Sequence, residues 1–257
     1  MRARPDFKIC PHQASFKQDI VSQTVLGGVL WEKFITDELR KLRQNFSDAT
    51  FIDVGVNIGT HALFAAALGM LVIGVEPNSD NWPNIHKAVL LNNFTKNFTF
   101  LPVAVSDNKV PLNMTKNVGN IAGTHAVGTG GKDFSQHSYS RAPIFSVPTI
   151  LFDDLLEFVK TRQAILKLDV ESFECRVLAM SQKFFSAVYV PAIFMEMGHA
   201  GEAVAECVKK MVNFLREIGF NTVKDASSGK IFKPPDQNAS AQKFVEGWPL
   251  DVIWYNF

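Results

Sequence analysis

The sequence has little cysteine and no excess charge of either sign. Only three cysteines occur in 257 residues, Cys10, Cys175 and Cys207, and no two of them form a CxxC pair. We interpret them as free thiols, because an odd and scattered set is typical neither of a disulfide framework nor of a zinc site. With 26 basic and 25 acidic side chains the net charge is +1. Bulk electrostatics therefore give no reason to expect nucleic acid or an anionic membrane as a partner.

The chain also lacks an uninterrupted apolar run of membrane-spanning length. Its basic N-terminus is followed by no apolar stretch, which argues against a signal peptide. The most apolar segment, residues 51–75, contains Asp53, Asn57 and His61. A strand, a turn, a helix and a second strand explain that segment better than a membrane span does. We therefore expect a soluble protein without a membrane segment, and the cytoplasm is the favoured compartment.

Five Asn-x-Ser/Thr sequons leave a second compartment open. They begin at Asn45, Asn93, Asn97, Asn113 and Asn238. Such sequons accept N-linked glycans in secreted proteins, although short motifs also arise by coincidence. The lumen of the secretory pathway therefore stays an alternative, with a membrane anchor outside this chain.

From residue 50 onward the sequence alternates between strand and helix patterns. This alternation predicts an α/β fold with a mainly parallel sheet and helices on both faces. The seven predicted strands are residues 50–54, 71–75, 99–105, 164–169, 192–195, 220–223 and 250–255. Before them, residues 20–44 carry apolar side chains at helical spacing. We predict an N-terminal helical extension or lid over residues 1–48 and one α/β domain over residues 49–257.

A long segment without periodicity interrupts the α/β pattern. Residues 116–142 are rich in Gly, Ser, Thr and His and predict a loop, which at this length is usually functional or disordered. The flanking runs 110–114 and 144–149 are candidates for a hairpin around it. Three histidines in or beside predicted loops are interpreted as surface residues: His61, His125 and His137.

The strongest candidate binding site is a glycine-containing turn at the end of the first strand. Residues 51–59 read FIDVGVNIG, so an apolar strand ends in small residues that open a helix. Gly55 and Gly59 permit a tight turn and the close approach of a ligand, and the following helix offers unpaired N–H groups. Glu76 ends the second strand, where a carboxylate can accept hydrogen bonds from both ribose hydroxyls of an adenosine. The pair predicts a nucleoside site at this sheet edge.

The turn favours S-adenosylmethionine (SAM) over a dinucleotide as the ligand. A dinucleotide site requires G-x-G-x-x-G, whereas this turn reads G-x-N-x-G with Asn57 at its centre. Asp53 at the entrance would repel a diphosphate but suits the ammonium and sulfonium groups of SAM. Ser106 and Asp107 follow the third strand, where the adenine end of such a ligand would lie.

Charged residues gather at the ends of the fourth and fifth predicted strands. Period-two alternation places Lys167, Asp169 and Glu171 on one side of the fourth strand, and His199 follows the fifth. Methyl transfer to a hydroxyl needs an aligned acceptor and a base. Asp169, Glu171 and His199 are the candidate bases, and Lys167 is a candidate for holding the substrate. A buried ion-pair network that only fixes the strands is the alternative.

A divalent metal at this edge of the sheet is conceivable but not indicated. Asp169 and Glu196 would supply hard carboxylate oxygens of the kind that Mg²⁺ prefers. No ligand spacing in the sequence requires the ion, so we predict no metal site.

Six segments in this order resemble the FkbM-type family of class I SAM-dependent methyltransferases: DVGVNIGTH, VEPN, VAVSD, VPTILFDDLL, LKLDVESFE and FMEM. The resemblance covers residues 51–198 and implies a Rossmann-like fold and an acceptor hydroxyl on a sugar, glycan or glycosylated small molecule. It implies that Asp169 and Glu171 lie near the methyl group. The SAM-binding residues that it implies are Asp53, Gly55, Asn57, Gly59, Glu76 and Asp107. Ser172 stands where the family pattern has glycine, which puts the local backbone geometry in question.

Three other functions remain open at this point. Ribose 2′-O-methylation of RNA uses similar Lys and acidic residues, but the near-neutral charge and the lack of an aromatic and basic stripe count against it. An NAD-dependent oxidoreductase is disfavoured by the G-x-N-x-G turn. A non-catalytic module on a SAM-binding fold would retain the turn without the reaction.

Overall fold

The computed structural model describes residues 5–12, 19–116, 123–127, 143–197 and 204–257. The predictions for His137 and His199 lie outside these ranges. The described helices are α1 (Ile20–Leu26), α2 (Lys33–Asn45), α3 (Thr60–Ala67), α4 (Trp82–Leu91), α5 (Glu174–Val177), α6 (Gln182–Ala187) and α7 (Ala205–Glu217). None of them combines the length and the apolar character that crossing a bilayer requires.

The strands form one large sheet and two small ones. In chain order they are β1 (Thr50–Val54), β2 (Val72–Val75), β3 (Phe98–Leu101), β4 (Ala104–Val105), β5 (Leu112–Thr115), β6 (His125–Ala126), β7 (Ile144–Val147), β8 (Thr149–Ile150), β9 (Gln163–Leu168), β10 (Tyr189–Glu196), β11 (Thr222–Asp225), β12 (Ile231–Phe232) and β13 (Asp251–Tyr255). The large sheet has the order β12-β11-β13-β10-β9-β1-β2-β3. Strands β3, β2, β1, β9 and β10 run parallel, and β13, β11 and β12 are joined by antiparallel pairing.

The predicted α/β fold with a mainly parallel sheet is confirmed, but the described sheet has eight strands instead of seven. The additional strand is β12, which pairs with β11 at the sheet edge through only two register positions. A two-residue strand gives no period-two signal, so its sequence could not predict it.

Helices cover both faces of the large sheet. On one face, Leu39 of α2 and Phe64 of α3 are fully buried in the same cluster as Phe51 of β1. On the other face, Phe184 of α6 and Leu215 of α7 pack in the cluster that contains the alternate residues of β1. Full burial of each such side chain stabilises the fold by roughly 1.5–3 kcal/mol. The resulting three layers place the carboxyl ends of the parallel strands at one edge.

The helix predicted over residues 20–44 is interrupted. Helix α1 ends at Leu26 and α2 begins at Lys33, because the glycine pair at 27–28 ends the first helix and Gly28 takes a φ of 78°. Glu32 precedes α2 with a φ of 44°. The division into an extension over residues 1–48 and a domain over residues 49–257 stays a prediction.

The strand predicted over residues 99–105 is also split. Pro102 has no N–H to donate, so β3 ends at Leu101 and β4 pairs instead with β8. The predicted hairpin around the long loop is confirmed, because β5 pairs antiparallel with β7. Strand β6, from within the predicted loop, joins β5 on its other side.

The interpretation of the cysteines as free thiols is wrong for two of the three. Cys175 of α5 and Cys207 of α7 form a disulfide with a Cα–Cα distance of 5.6 Å, while Cys10 is free. Spacing along the chain could not reveal this pair, because packing of the two helices brings it together. A disulfide that closes a loop of this length stabilises a fold by roughly 3–4 kcal/mol. It fastens the segment that follows β9 to α7.

Candidate functional site

A cleft opens at the carboxyl ends of β1, β2 and β9. Its space of about 280 Å³ is close to the lower end of the roughly 300–1,000 Å³ typical of small-molecule pockets. Five residues predicted for the site line it: Gly55, Asn57, Glu76, Asp169 and Glu171. The fold thus brings together residues that are separated by more than a hundred positions in the sequence.

The glycine turn between β1 and α3 forms the floor of the cleft. Gly55 has a φ of 92°, and a Cβ at this position would lie 1.9 Å from the carbonyl oxygen of Asp169. Only glycine therefore lets β1 and β9 approach this closely. Gly59 also has a φ of 92° and precedes α3 as its N-cap residue. Because a left-handed backbone angle favours glycine, both positions of the turn need it.

Glu76 reaches across to the glycine turn and is held there from both sides. Its Oε2 accepts the Asn57 N–H at 2.8 Å and its Oε1 accepts the Asn78 N–H at 2.8 Å. Burial raises the pKa of Glu76 to about 7, against the opposing effect of these two backbone donors. The side chain of Asn81 is a third donor to this carboxylate, and since two oxygens offer about four acceptor positions, one remains for a hydroxyl of a ligand.

Asp53 lies beneath the turn instead of on the cleft wall. Its side chain is buried, and Nζ of Lys167 lies 3.8 Å from its Oδ1. Burial raises the pKa of Asp53 to about 7, and the charge of Lys167 opposes that shift. The residue supports the turn from below, and its direct contact with SAM stays a prediction.

Ser106 and Asp107 lie just past the lined part of the cleft. The wall there consists of Val103, Ala104 and Val105. Ser106 is buried and its hydroxyl lies 3.3 Å from Asp107, whose carboxylate pairs with Arg176 at 3.2 Å. The contact of these two residues with adenine stays a prediction.

The charged residues of β9 do lie together. Nζ of Lys167 donates to Oδ2 of Asp169 at 2.9 Å. Burial lowers the pKa of Lys167, but the charges of Asp169 and Asp53 outweigh burial and raise it above its ordinary value. Lys167 therefore remains an ammonium ion that holds Asp169 in place and cannot act as a base.

Glu171 lies in surroundings that favour its protonated form. Burial, followed by the charge of Asp169, raises the pKa of Glu171 to about 9. The carboxyl group is therefore protonated near pH 7 and can donate a hydrogen bond. Asp169 lies beside the Lys167 ammonium, and its side chain is 32% exposed. It is the acid of this pair that faces the cleft as a hydrogen-bond acceptor.

No metal site is evident in the described part of the chain. No group of three or more His, Cys, Asp or Glu side chains there is arranged to hold an ion. Asp169 and Glu196 both line the cleft, but no third His, Cys, Asp or Glu side chain joins them in such a group among the described residues.

The sequence reasoning missed Glu32, which lines the cleft together with its neighbour Trp31. Burial raises the pKa of Glu32 to about 8, and its Oε2 lies 3.6 Å from Nε2 of His61. The signal that was available is the glycine pair at 27–28, which predicts a turn. Nothing in the local pattern shows that the turn reaches the sheet edge.

Two histidines interpreted as surface residues are buried. His61 of α3 is 4% exposed and His125 of β6 is 5% exposed, so that interpretation is wrong for both. Burial lowers the pKa of His61 well below its ordinary value, because the segment before α2 covers it. His125 lies in β6, which pairs with β5, and its Nδ1 is 3.0 Å from the carbonyl oxygen of Gly123.

Ser172 takes a left-handed conformation with a φ of 69°, directly after Glu171 with a φ of 56°. The departure from glycine at this position therefore lowers stability, since a left-handed backbone costs a residue with a Cβ roughly 1–2 kcal/mol.

We expect Ser172→Gly to be more stable than Ser172→Ala by about 1 kcal/mol, because both lose the hydroxyl and only glycine relieves the backbone strain. Urea unfolding of the two variants measures the difference. Equal stability would show that this turn is not strained.

Residues 53–222 match the family model described as the methyltransferase FkbM domain. A search of curated proteins found no match. Similar solved structures include the METTL16 MTase domain, with 14% identity and a TM-score of 0.43 over 88% of this chain and 66% of that one. The human methyltransferase 10 domain containing protein has 10% identity and a TM-score of 0.42 over 87% and 83%. SMU.1697c from Streptococcus mutans, solved in complex with SAH, has 11% identity and a TM-score of 0.43 over 88% and 95%. At these TM-scores we draw no functional conclusion from the likeness.

Proposed function

We propose, from the premise that the chain belongs to the FkbM methyltransferase family, that it methylates a hydroxyl of a sugar, a glycan or a glycosylated small molecule. The methyl donor is SAM. The observation that carries the proposal is the cleft in which Glu76, held by two backbone donors, faces the same space as Asp169 and Glu171.

The residues of the cleft fit an adenosyl ligand. Glu76 offers two carboxylate oxygens, held in place and suited to ribose hydroxyls. Oδ1 of Asn57 is buried and has no hydrogen-bond partner in the described part of the chain, so it can accept from a ligand. Gly55 leaves the floor free of side chain. When bound there, SAM supplies a methyl group on a positively charged sulfur.

Asp169 is the residue that we propose takes the acceptor proton. The ammonium group of Lys167 fixes its carboxylate at 2.9 Å and leaves the side chain partly exposed to the cleft. Glu171, with a pKa raised to about 9 by burial, donates to an acceptor oxygen and so orients it. We therefore assign the two acids opposite tasks: Asp169 accepts the proton and Glu171 donates a hydrogen bond.

The charge of the cleft favours a neutral acceptor. Five carboxylates line the cleft in the described part of the chain, and no Lys or Arg does: Glu32, Glu76, Asp169, Glu171 and Glu196. Such a lining offers no cation to a phosphate, whereas carboxyl groups exchange hydrogen bonds with sugar hydroxyls. This supports a neutral carbohydrate over RNA.

Trp31 and Glu32 also bring the N-terminal helices to the cleft, which supports the proposed lid over residues 1–48.

Transfer of a labelled methyl group from SAM to a panel of neutral oligosaccharides, glycosylated metabolites and RNA tests the proposal. We expect label on a carbohydrate oxygen and none on RNA.

Glu76→Ala should weaken SAM binding by roughly 10- to 150-fold, since hydrogen bonds to a charged group contribute about 1.5–3 kcal/mol. Calorimetry with SAM and S-adenosylhomocysteine measures that loss.

The exposed acid Glu157 supplies the matched control, because Glu157→Ala removes an equal charge outside the cleft. Circular dichroism confirms that both variants are folded, and Glu76→Gln, which keeps one acceptor oxygen, serves if the alanine variant is not. If RNA alone carries the label, RNA is the acceptor and the proposed carbohydrate acceptor is wrong. Undiminished SAM affinity in a folded Glu76→Ala variant would remove the assigned cofactor site.

A further inference from the structure

Three of the five sequons begin at exposed residues outside the strands. Asn45 is the exposed last residue of α2, and Asn93 is exposed just after α4 with a φ of 58°. Asn238 is exposed in a turn between β12 and the C-terminal strand. The side-chain amides of these three residues make no hydrogen bond to the described part of the chain. Each therefore has the room and the free Nδ2 that an N-linked glycan requires.

Asn97 provides an internal contrast within the same short stretch. Its Nδ2 donates to the carbonyl oxygens of Ala66 and Met70, at 3.1 and 3.0 Å. Both amide hydrogens are needed for these bonds, which fasten the start of β3 to the turn before β2. A glycan on Nδ2 would replace one hydrogen and occupy the space of its acceptor, so the native fold excludes it at Asn97.

The positions of the sequons relative to the cleft are also consistent with glycosylation. Asn45 precedes β1 and Asn93 precedes β3, so both lie toward the amino ends of parallel strands, while the cleft lies at the carboxyl ends. Glycans at these two residues would leave the cleft open. Asn113 is also exposed, in β5, and strand alternation turns its side chain away from the cleft-lining Leu112 and Met114; we make no assignment for it.

The disulfide is an independent observation that points to the same compartment. Cys175 and Cys207 are joined, and structural disulfides form and persist mainly in oxidising compartments. Cys175 is 5% exposed and Cys207 is partly buried, so the bond is not an exposed, readily exchanged pair. The segment that it fastens follows directly after Glu171 and Ser172.

We propose that the domain matures in the lumen of the secretory pathway, where Asn45, Asn93 and Asn238 carry N-linked glycans and Cys175 and Cys207 are oxidised. In each glycosylation Nδ2 displaces the lipid diphosphate from the anomeric carbon of a lipid-linked oligosaccharide and loses one proton. In the oxidation the two thiols lose two protons and two electrons by exchange with a protein disulfide, which is reduced to a dithiol. The proposal takes the lumen of the secretory pathway over the cytoplasm, and it does not depend on the proposed acceptor.

The endogenous full-length protein, captured by antibody from its source cells, provides the test. Peptide-N-glycosidase treatment in ¹⁸O-water converts each glycosylated Asn to a labelled Asp, which peptide mass spectrometry locates. We expect label at Asn45, Asn93 and Asn238 and unmodified Asn97. Alkylation under native and then denaturing conditions should label only Cys10 before reduction, and Cys175 and Cys207 after it.

Expression of the full chain through the secretory pathway assigns each site. Asn45→Gln, Asn93→Gln and Asn238→Gln should each remove one glycan from the intact mass, while Asn97→Gln should remove none. Unlabelled asparagine at all three positions in the endogenous protein, or alkylation of Cys175 and Cys207 before reduction, would overturn the proposal. Label at Asn97 in protein that still unfolds cooperatively would overturn the structural basis for choosing among the sequons.

Discussion

Gly55→Ala should destabilise the protein by about 2–5 kcal/mol and abolish measurable SAM binding. The new Cβ would lie 1.9 Å from the carbonyl oxygen of Asp169, a backbone atom that cannot move without shifting β9. Overpacking of this kind costs roughly 1–3 kcal/mol, and the φ of 92° adds roughly 1–2 kcal/mol for a residue with a Cβ. The shift needed would also separate Glu76 from the Asn57 N–H.

The matched control is Gly69→Ala, in the turn between α3 and β2. Gly69 also has a positive φ, 79°, but a Cβ there would have no atom within 4 Å. Its replacement should therefore cost only about 1–2 kcal/mol and leave SAM binding intact. Denaturant unfolding and calorimetry on both variants separate the contribution of the contact from that of the backbone angle. Equal losses in the two variants would show that the close approach of β1 and β9 is not required.

The elements that could be predicted from the sequence are those whose signal is local. Strand β1 has the predicted bounds of Thr50–Val54, because a continuous apolar run ends there in a glycine turn. The positions of Gly55 and Glu76 at the strand ends followed from the same run and the next one. In a parallel sheet, strand ends meet at one edge, so the site could be placed without any contact being known.

The features that could not be predicted depend on which distant segments pack together. Cys175 and Cys207 give no signal until α5 and α7 are adjacent, and His61 is buried only because the segment before α2 covers it. Glu32 lies at a break in a helix that the apolar pattern predicts as continuous. These misses share one cause, since residue spacing within a segment contains no information about its tertiary neighbours.

Asp169→Asn should lower the methyl-transfer turnover by roughly 100- to 10,000-fold, the usual contribution of a general base. An asparagine oxygen can still accept the hydrogen bond from Lys167 that is 2.9 Å long in the structure, so the strand end should keep its shape. SAM affinity should change by less than about threefold, because Glu76 and the glycine turn are untouched; this limit corresponds to under about 0.7 kcal/mol. Steady-state kinetics and calorimetry measure the two quantities separately.

Glu171→Gln is the control that distinguishes the role of Glu171 from that of Asp169. Burial holds the pKa of Glu171 at about 9, so near pH 7 its carboxyl is already protonated and a neutral amide resembles it. Turnover of Glu171→Gln should therefore stay close to that of the unmodified chain at pH 7 and differ from it only as the pH rises through about 9, where the native side chain ionises. The exposed Asp48→Asn tests for a general effect of removing one charge. If Glu171→Gln loses turnover at pH 7 and Asp169→Asn retains it, the two acids have exchanged the tasks that their environments assign.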